Sequence, residues 1–347
     1  LAVIAMMILG GPRILFMTRA AYEQTMGREI GTISTVMIGS TLLRAPLFVA
    51  FIMVSALVMR TWNQSGRDRK RVLLGLLVLL AVANVLFNFP GALARQWLGT
   101  IVLTPVFMLI WRNRLSAGLL PLTLVLILMF VYPYSDAFRR AMRFDWNVID
   151  KTLEMGVVDK LLNSGDFDVY QQTLNNIVVV KENGIVYGHN FLTAALFWFP
   201  RSFWPEKSPG TGRIVARAMG YPWHQTNLSS PLWMEAYFGF GWIGIVLIMG
   251  GYGYGSRRLD EALLRSSYDP ASASLYEVLV PFLASFQFIF MRGDILNGTA
   301  TLTFPVILFL LAARRIQIHT SSILHANLSQ RVKSQDKLFM SSEESTR

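Results

Sequence analysis

The densest set of side chains able to do chemistry is the string Phe199-Pro-Arg-Ser-Phe-Trp-Pro-Glu-Lys207-Ser-Pro-Gly-Thr-Gly212-Arg213. Pro200, Pro205 and Pro209, with Gly210 and Gly212, shape a loop rather than a regular element. Arg201 and Lys207 supply cations to it, and Thr211 is placed to cap a short helix running through Arg213 and Arg217. A rigid loop carrying arginine, lysine and a helix N-terminus suits a diphosphate. Guanidinium grips phosphate oxygens in a two-pronged fork, and the free backbone N–H groups add further donors. A membrane-surface loop touching lipid phosphates would show the same residues, and composition does not separate the two. Arg139, Arg140 and Arg143 invite the same pair of readings.

Proton-transfer candidates are fewer. Arg44, Glu235 and Glu277 fall inside or at the edge of apolar runs, where a charge costs about 2.5–3.5 kcal/mol. Arg44 and Glu277 lie near the ends of their runs and can reach the interface. Glu235 opens its run close to His224, Thr226 and Asn227, and so is the acid of most interest. Asp168 and His224 are the other candidate bases. Gly239-Phe-Gly241-Trp-Ile-Gly244 matches a dinucleotide fingerprint only as a string. It begins a membrane run instead of joining a strand to a helix, and small residues for close helix packing explain it. Asp166-Phe-Asp168 resembles a metal-binding acid pair but has no nucleotide-binding domain around it. The four histidines lack metal-ligand spacing, and the absence of cysteine excludes disulfides, thiolate metal sites and cysteine nucleophiles. No metal and no cofactor is expected.

The elements that must position these residues are membrane helices. Of 347 residues 53% are hydrophobic and 15% charged, against about 25% charged in a typical soluble domain, and mean hydropathy is +0.43. Apolar runs predict an all-α polytopic membrane protein of about eight spans: 1–11 (read as truncated), 40–59, 72–88, 97–111, 117–133, 233–251, 275–291 and 298–313. The net charge of +11 sits largely in short loops, at Arg60 to Arg71, Arg112 with Arg114, Arg257 to Arg265, and Arg314 with Arg315. That pattern marks cytoplasmic segments and argues against nucleic acid as a partner. The expected organisation is an N-terminal bundle at 1–133, a long extracytoplasmic loop with the candidate site at 134–232, a C-terminal bundle at 233–313 and a disordered cytoplasmic tail at 314–347. Within the long loop, Phe167, Tyr170, Leu174 and Ile177 recur at helical spacing as an apolar stripe for the membrane surface or the spans. Phe191 to Phe199 reads as a re-entrant or interfacial helix ended by Pro200.

Several of these residues together resemble the Wzy-type oligosaccharide repeat-unit polymerases and the related O-antigen ligases of bacterial envelopes. The likeness is carried by Phe199-Pro200-Arg201-Ser202, Trp204-Pro205-Glu206-Lys207, Tyr187-Gly188, Thr226-Asn227, Glu235-Ala-Tyr237 and Phe238-Gly239-Phe240-Gly241. It implies a metal-independent, inverting glycosyltransferase in the bacterial cytoplasmic membrane. Its substrate would be an undecaprenyl-diphosphate-linked oligosaccharide, with a repeat-unit flippase and a chain-length regulator as partners. It further implies that Arg201, with Arg139, Arg140 and Arg213, holds the diphosphate. Displacement at an anomeric carbon needs a base, for which Glu235, Asp168 or His224 would serve, and cations for the leaving group, for which Arg201 and Lys207 would serve. A ligase, or a transporter of a lipid-linked glycan, is the alternative. The lack of internal repeats and of polar midplane residues counts against a transporter.

Overall fold

The computed structural model describes residues 2–8, 11–12, 33–62, 66–88, 95–112, 116, 118–126, 147, 154, 169–221, 228–266 and 273–314. Among them every regular element is a helix. In chain order these are α1 (Ala2–Ile8), α2 (Ile33–Thr61), α3 (Arg67–Phe87), α4 (Arg95–Trp111) and α5 (Leu119–Leu126), then α6 (Val169–Asn183), α7 (His189–Ala195), α8 (Thr211–Ala218), α9 (Leu232–Ser266), α10 (Ala273–Phe290) and α11 (Ile295–Arg314).

Among the described residues four stretches are long and apolar enough to cross a bilayer: Thr41–Arg60 of α2, α3, α9 and α11. The chain is therefore a membrane-embedded helical protein. Two further runs expected to span, at 97–111 and 275–291, form shorter apolar helices at Gly99–Trp111 and Leu275–Phe290. Of the expected spans 1–11 and 117–133 only α1 and α5 fall among the described residues.

α10 is central despite its length. Val278, Phe282, Phe286 and Ile289 are fully buried and pack against Phe48 and Ile52 of α2, Trp97 and Met108 of α4 and Phe309 of α11. The rings of Phe48, Phe282 and Phe309 meet at tilted angles, with centroids 6.0 and 5.3 Å apart. Polar groups lock this bundle where lipid supplies no hydrophobic drive between helices. The hydroxyls of Thr104 and Ser285 pair at 2.7 Å between α4 and α10. Arg112 donates to Glu277 at 2.6 Å between the same helices, so one residue read as a loop charge and one read as a span-edge charge neutralise each other. On the periphery, α3 is held by Asn84, which donates to Leu47 O of α2 at 3.0 Å, and by Asn88, which accepts from Trp97 at 3.1 Å. Its other faces, including Val72, Leu79, Val82 and Val85, are exposed, as suits a helix facing lipid.

α9 would run roughly 50 Å if straight, well beyond the hydrocarbon thickness of about 30 Å. It is not straight. Gly241 adopts φ 66° and ψ −153° and divides it. Before the break, Leu232, Met234 to Phe238 and Gly239 are buried in protein; after it, Trp242, Ile243, Val246 and Leu247 are 66–72% exposed and face lipid. The predicted span 233–251 is thus a buried half-helix joined to a spanning one. The arginines read as an inner loop continue the same helix, where Arg257, Arg258 and Arg265 surround Glu261.

Candidate functional site

The break at Gly241 sets up the site. In an unbroken helix Phe238 O and Gly239 O accept from residues 242 and 243. Here they accept from Val186 N at 3.0 Å and Gly188 N at 3.1 Å, so the loop between α6 and α7 is stitched onto the half-helix. Gly188 has φ 77° and its α-carbon lies so close to the Phe240 ring that an added Cβ would sit 2.2 Å from it. Gly244 approaches Ala236 O equally closely. The glycine string expected to ease packing between helices therefore serves a kink: Gly241 supplies the backbone angle, Gly239 admits Asn190 and Phe191 of α7, and Gly244 lets the two halves of α9 close on each other.

Glu235 projects from the buried half-helix into the space between α7, α8 and α11 and is fully enclosed. Its carboxylate accepts from Asn190 Nδ2 at 2.7 Å, from Thr211 Oγ1 at 2.6 Å and, at a longer 3.4 Å, from the backbone N–H of Ile295. Asn190 Nδ2 also donates to Glu235 O at 3.0 Å. One carboxyl group thus draws three elements together, its oxygens satisfied by donors in spite of burial. Thr211 does not cap α8 as expected. Gly210, which has no side chain to offer, holds the cap position, and Thr211 is the first helical residue with its hydroxyl turned to Glu235.

Beside it stands Asp294, which the chain pattern had placed only in a short connecting segment. It caps α11: Oδ1 accepts from Asn297 N and Oδ2 from Asn297 Nδ2, both at 2.7 Å. The Asp-x-x-Asn string ahead of an apolar run is the signal that would have found it. Gly210 is pressed against this carboxylate, since a Cβ there would come within 2.5 Å of Oδ2. Burial raises the Asp294 pKa, and its bonds to Asn297 and the charge of Arg213 oppose that rise.

Arg213, half-buried, lies within the fields of Arg217, Asp294 and Arg201. Burial, and then the two like charges, press its pKa down, while Asp294 pulls it up. Arg201 donates from Nη1 to Lys207 O and from Nη2 to Ser208 O, the latter at 3.1 Å, closing the proline-rich loop on itself. These contacts use two of its five N–H donors.

Lys207 corrects an expectation. It is 2% exposed, and its ammonium donates to Leu196 O at 3.0 Å, Phe197 O at 2.6 Å and Phe199 O at 2.9 Å. All three of its donors are engaged by carbonyls of the turn that follows α7. It is a buried clasp, not a free cation for a diphosphate. The apolar run 191–199 is helical only as far as Ala195, and the turn after it is the part that Lys207 clasps.

Pro200 is exposed and accepts through its carbonyl from Phe203 N and Trp204 N, both at 3.2 Å, and Pro205 is exposed next to Trp204. Trp204 meets His189 edge to face at 5.4 Å. Tyr237 packs edge to face on Trp242 at 5.0 Å across the kink. Asn190 Oδ1 and Thr193 Oγ1, one turn apart on α7, are buried without a protein partner. Asp168, His224, Asn227, Arg139, Arg140, Arg143 and Asp166 lie outside the described residues. Among the described residues no three acidic or histidine side chains gather as a metal site. Compared with protein-family models, curated proteins and solved structures, the chain matches none.

Proposed function

We propose that the chain is a membrane glycosyltransferase that joins undecaprenyl-diphosphate-linked oligosaccharide repeat units into a surface polysaccharide, at the outer face of the bacterial cytoplasmic membrane. The observation that supports this reading is that Arg201 and Arg217 lie within the field of Arg213, which in turn acts on the buried Asp294 beside Glu235 at the mouth of a membrane helix. Three guanidinium groups outnumber Asp294, the one carboxylate that acts on Arg213, and a diphosphate leaving group would balance the remaining charge. In the reaction an acceptor hydroxyl oxygen bonds to the anomeric carbon. The bond from that carbon to the diphosphate oxygen breaks, its electron pair leaves with the diphosphate, and the hydroxyl proton passes to a base. Glu235, enclosed and bonded by three donors, acts in this scheme by fixing α7, α8 and α11 in place. The base is sought at His224 and Asp168. The unpartnered Asn190 Oδ1 and Thr193 Oγ1 add hydrogen-bonding capacity nearby.

The reading is tested with Arg213→Ala and Arg217→Ala in cells whose own copy is deleted, scoring polysaccharide length on gels and protein amount by immunoblot. Loss of one preorganised charge partner is expected to slow transfer about 10²–10³-fold, with single lipid-linked repeat units accumulating. Full-length polymer in both variants overturns the reading, and accumulation of full-length lipid-linked chains would point to ligation instead.

A further inference from the structure

Helix α6 is amphipathic in opposite senses along its length. In its first half the buried residues are polar, Gln172, Asn175 and Asn176, whereas Tyr170 and Leu174 on the outer face are 75% and 41% exposed. Towards its end the usual order returns: Val179 and Val180 are buried and Lys181, Glu182 and Asn183 are exposed. Val178 continues the exposed apolar stripe one turn beyond Leu174. The inward polar face is internally bonded. Asn175 donates to Gln172 Oε1 at 3.1 Å and, at 3.4 Å, to Tyr221 OH, and accepts at 3.0 Å from Nε2 of Gln171, an exposed residue beside Tyr170.

An apolar stripe turned outward over a buried amide cluster is unfavourable in water, because exposed apolar area costs about 25 cal/mol per Å². It becomes favourable once the outer medium is itself apolar. Three observations select lipid as that medium. α6 packs on α9 through a shared cluster against which Ile177 of α6 and Ile245 of α9 both pack, and the next residue on each helix, Val178 and Val246, is exposed, as are Trp242, Ile243 and Leu247 of the lipid-facing half of α9. The switch from apolar to charged along one stripe, from Tyr170 to Glu182, follows the gradient from acyl chains to water across roughly 18 Å of helix. Further exposed aromatics close by in the chain, Tyr187, Trp198 and Phe203, are of the kind that collects at headgroup depth.

We infer that α6 is seated in the bilayer from its start as far as Val178, with Tyr170, Leu174 and Val178 against lipid and the chain emerging at Lys181 to Asn183. The segment carrying the arginine cluster is then docked at the headgroup level instead of standing in water as a free loop.

The natural absence of cysteine allows a direct test. The full chain carrying a single nitroxide-labelled cysteine at 170, 174 or 178 is reconstituted in phosphatidylethanolamine/phosphatidylglycerol vesicles. Val246→Cys serves as the lipid reference and Glu182→Cys as the aqueous one. Relaxation by oxygen and by a water-soluble nickel complex gives the depth of each label. The expected result is an oxygen-to-nickel ratio at 170, 174 and 178 matching that at 246 and several-fold above that at 182. A ratio matching 182 overturns the inference, as does immobilisation with low access to both reagents, which would mean a protein partner such as a second copy covers the face. All three side chains are exposed, so labelling leaves the packing intact. Glu182→Cys in the same helix reports on folding.

Discussion

The clasp at Lys207 offers the sharpest test, because it separates a structural lysine from a phosphate ligand. Lys207→Met keeps most of the side-chain stem and removes the ammonium alone, taking that donor from Phe197 O, Phe199 O and Leu196 O, of which Leu196 O keeps the Phe199 N–H. Charge-assisted bonds contribute about 1.5–3 kcal/mol each, and the desolvation of the ammonium offsets several kcal/mol of that total, which leaves a net loss of about 2–4 kcal/mol. The loss is local at first. The end of α7 loosens, and so does the loop that Arg201 closes through Lys207 O and Ser208 O. Thermal unfolding of the detergent-solubilised protein followed by tryptophan fluorescence gives the midpoint, and limited proteolysis of residues 196–210 gives the local opening. The expected outcome is a lowered midpoint with new cleavage in that loop. An unchanged midpoint and an intact loop, together with lost polymer formation, would refute the clasp and return Lys207 to the diphosphate.

The kink makes a second prediction: Gly188→Ala introduces a Cβ 2.2 Å from Phe240 Cζ at φ 77° and is expected to cost about 2–4 kcal/mol of stability, with Phe240→Ala in the same chain recovering only the steric part. Asp294 predicts a pH effect. Its raised pKa means that the folded chain holds this proton more tightly than the unfolded one, so its contribution is full below the ordinary value of 3.8 and declines as pH climbs through the raised one. Asp294→Asn keeps the α11 cap acceptor and should flatten that part of a stability-against-pH curve, while an unchanged curve would show that the carboxylate does not titrate there. The Arg112–Glu277 pair, at 27% and 13% side-chain exposure, should show a coupling of about 1–2 kcal/mol in a double-mutant cycle of Arg112→Met and Glu277→Gln. Additive losses would mean that the two charges act independently.

Composition and apolar run length were enough to establish a helical membrane protein, since residues exposed to hydrocarbon must be apolar whatever they pack against. They also pointed to Glu235 and the 199–213 loop, because charge and proline are conspicuous in so apolar a chain. Three matters were decided only in three dimensions. Lys207 and Arg201 look alike as loop cations, yet one is consumed by carbonyls at the end of α7 and the other keeps donors free, a distinction that depends on where the chain folds back. Asp294 enters the site from about 60 residues beyond Glu235 because α11 starts there, and no local pattern encodes that approach. The glycine run was legible as glycine, but whether it served packing or a break depended on Val186 and Gly188 arriving to satisfy the carbonyls that Gly241 releases. Solvent preference is a property of each residue and can be read one residue at a time. Hydrogen-bond satisfaction is a property of neighbours, and only the tertiary structure supplies them.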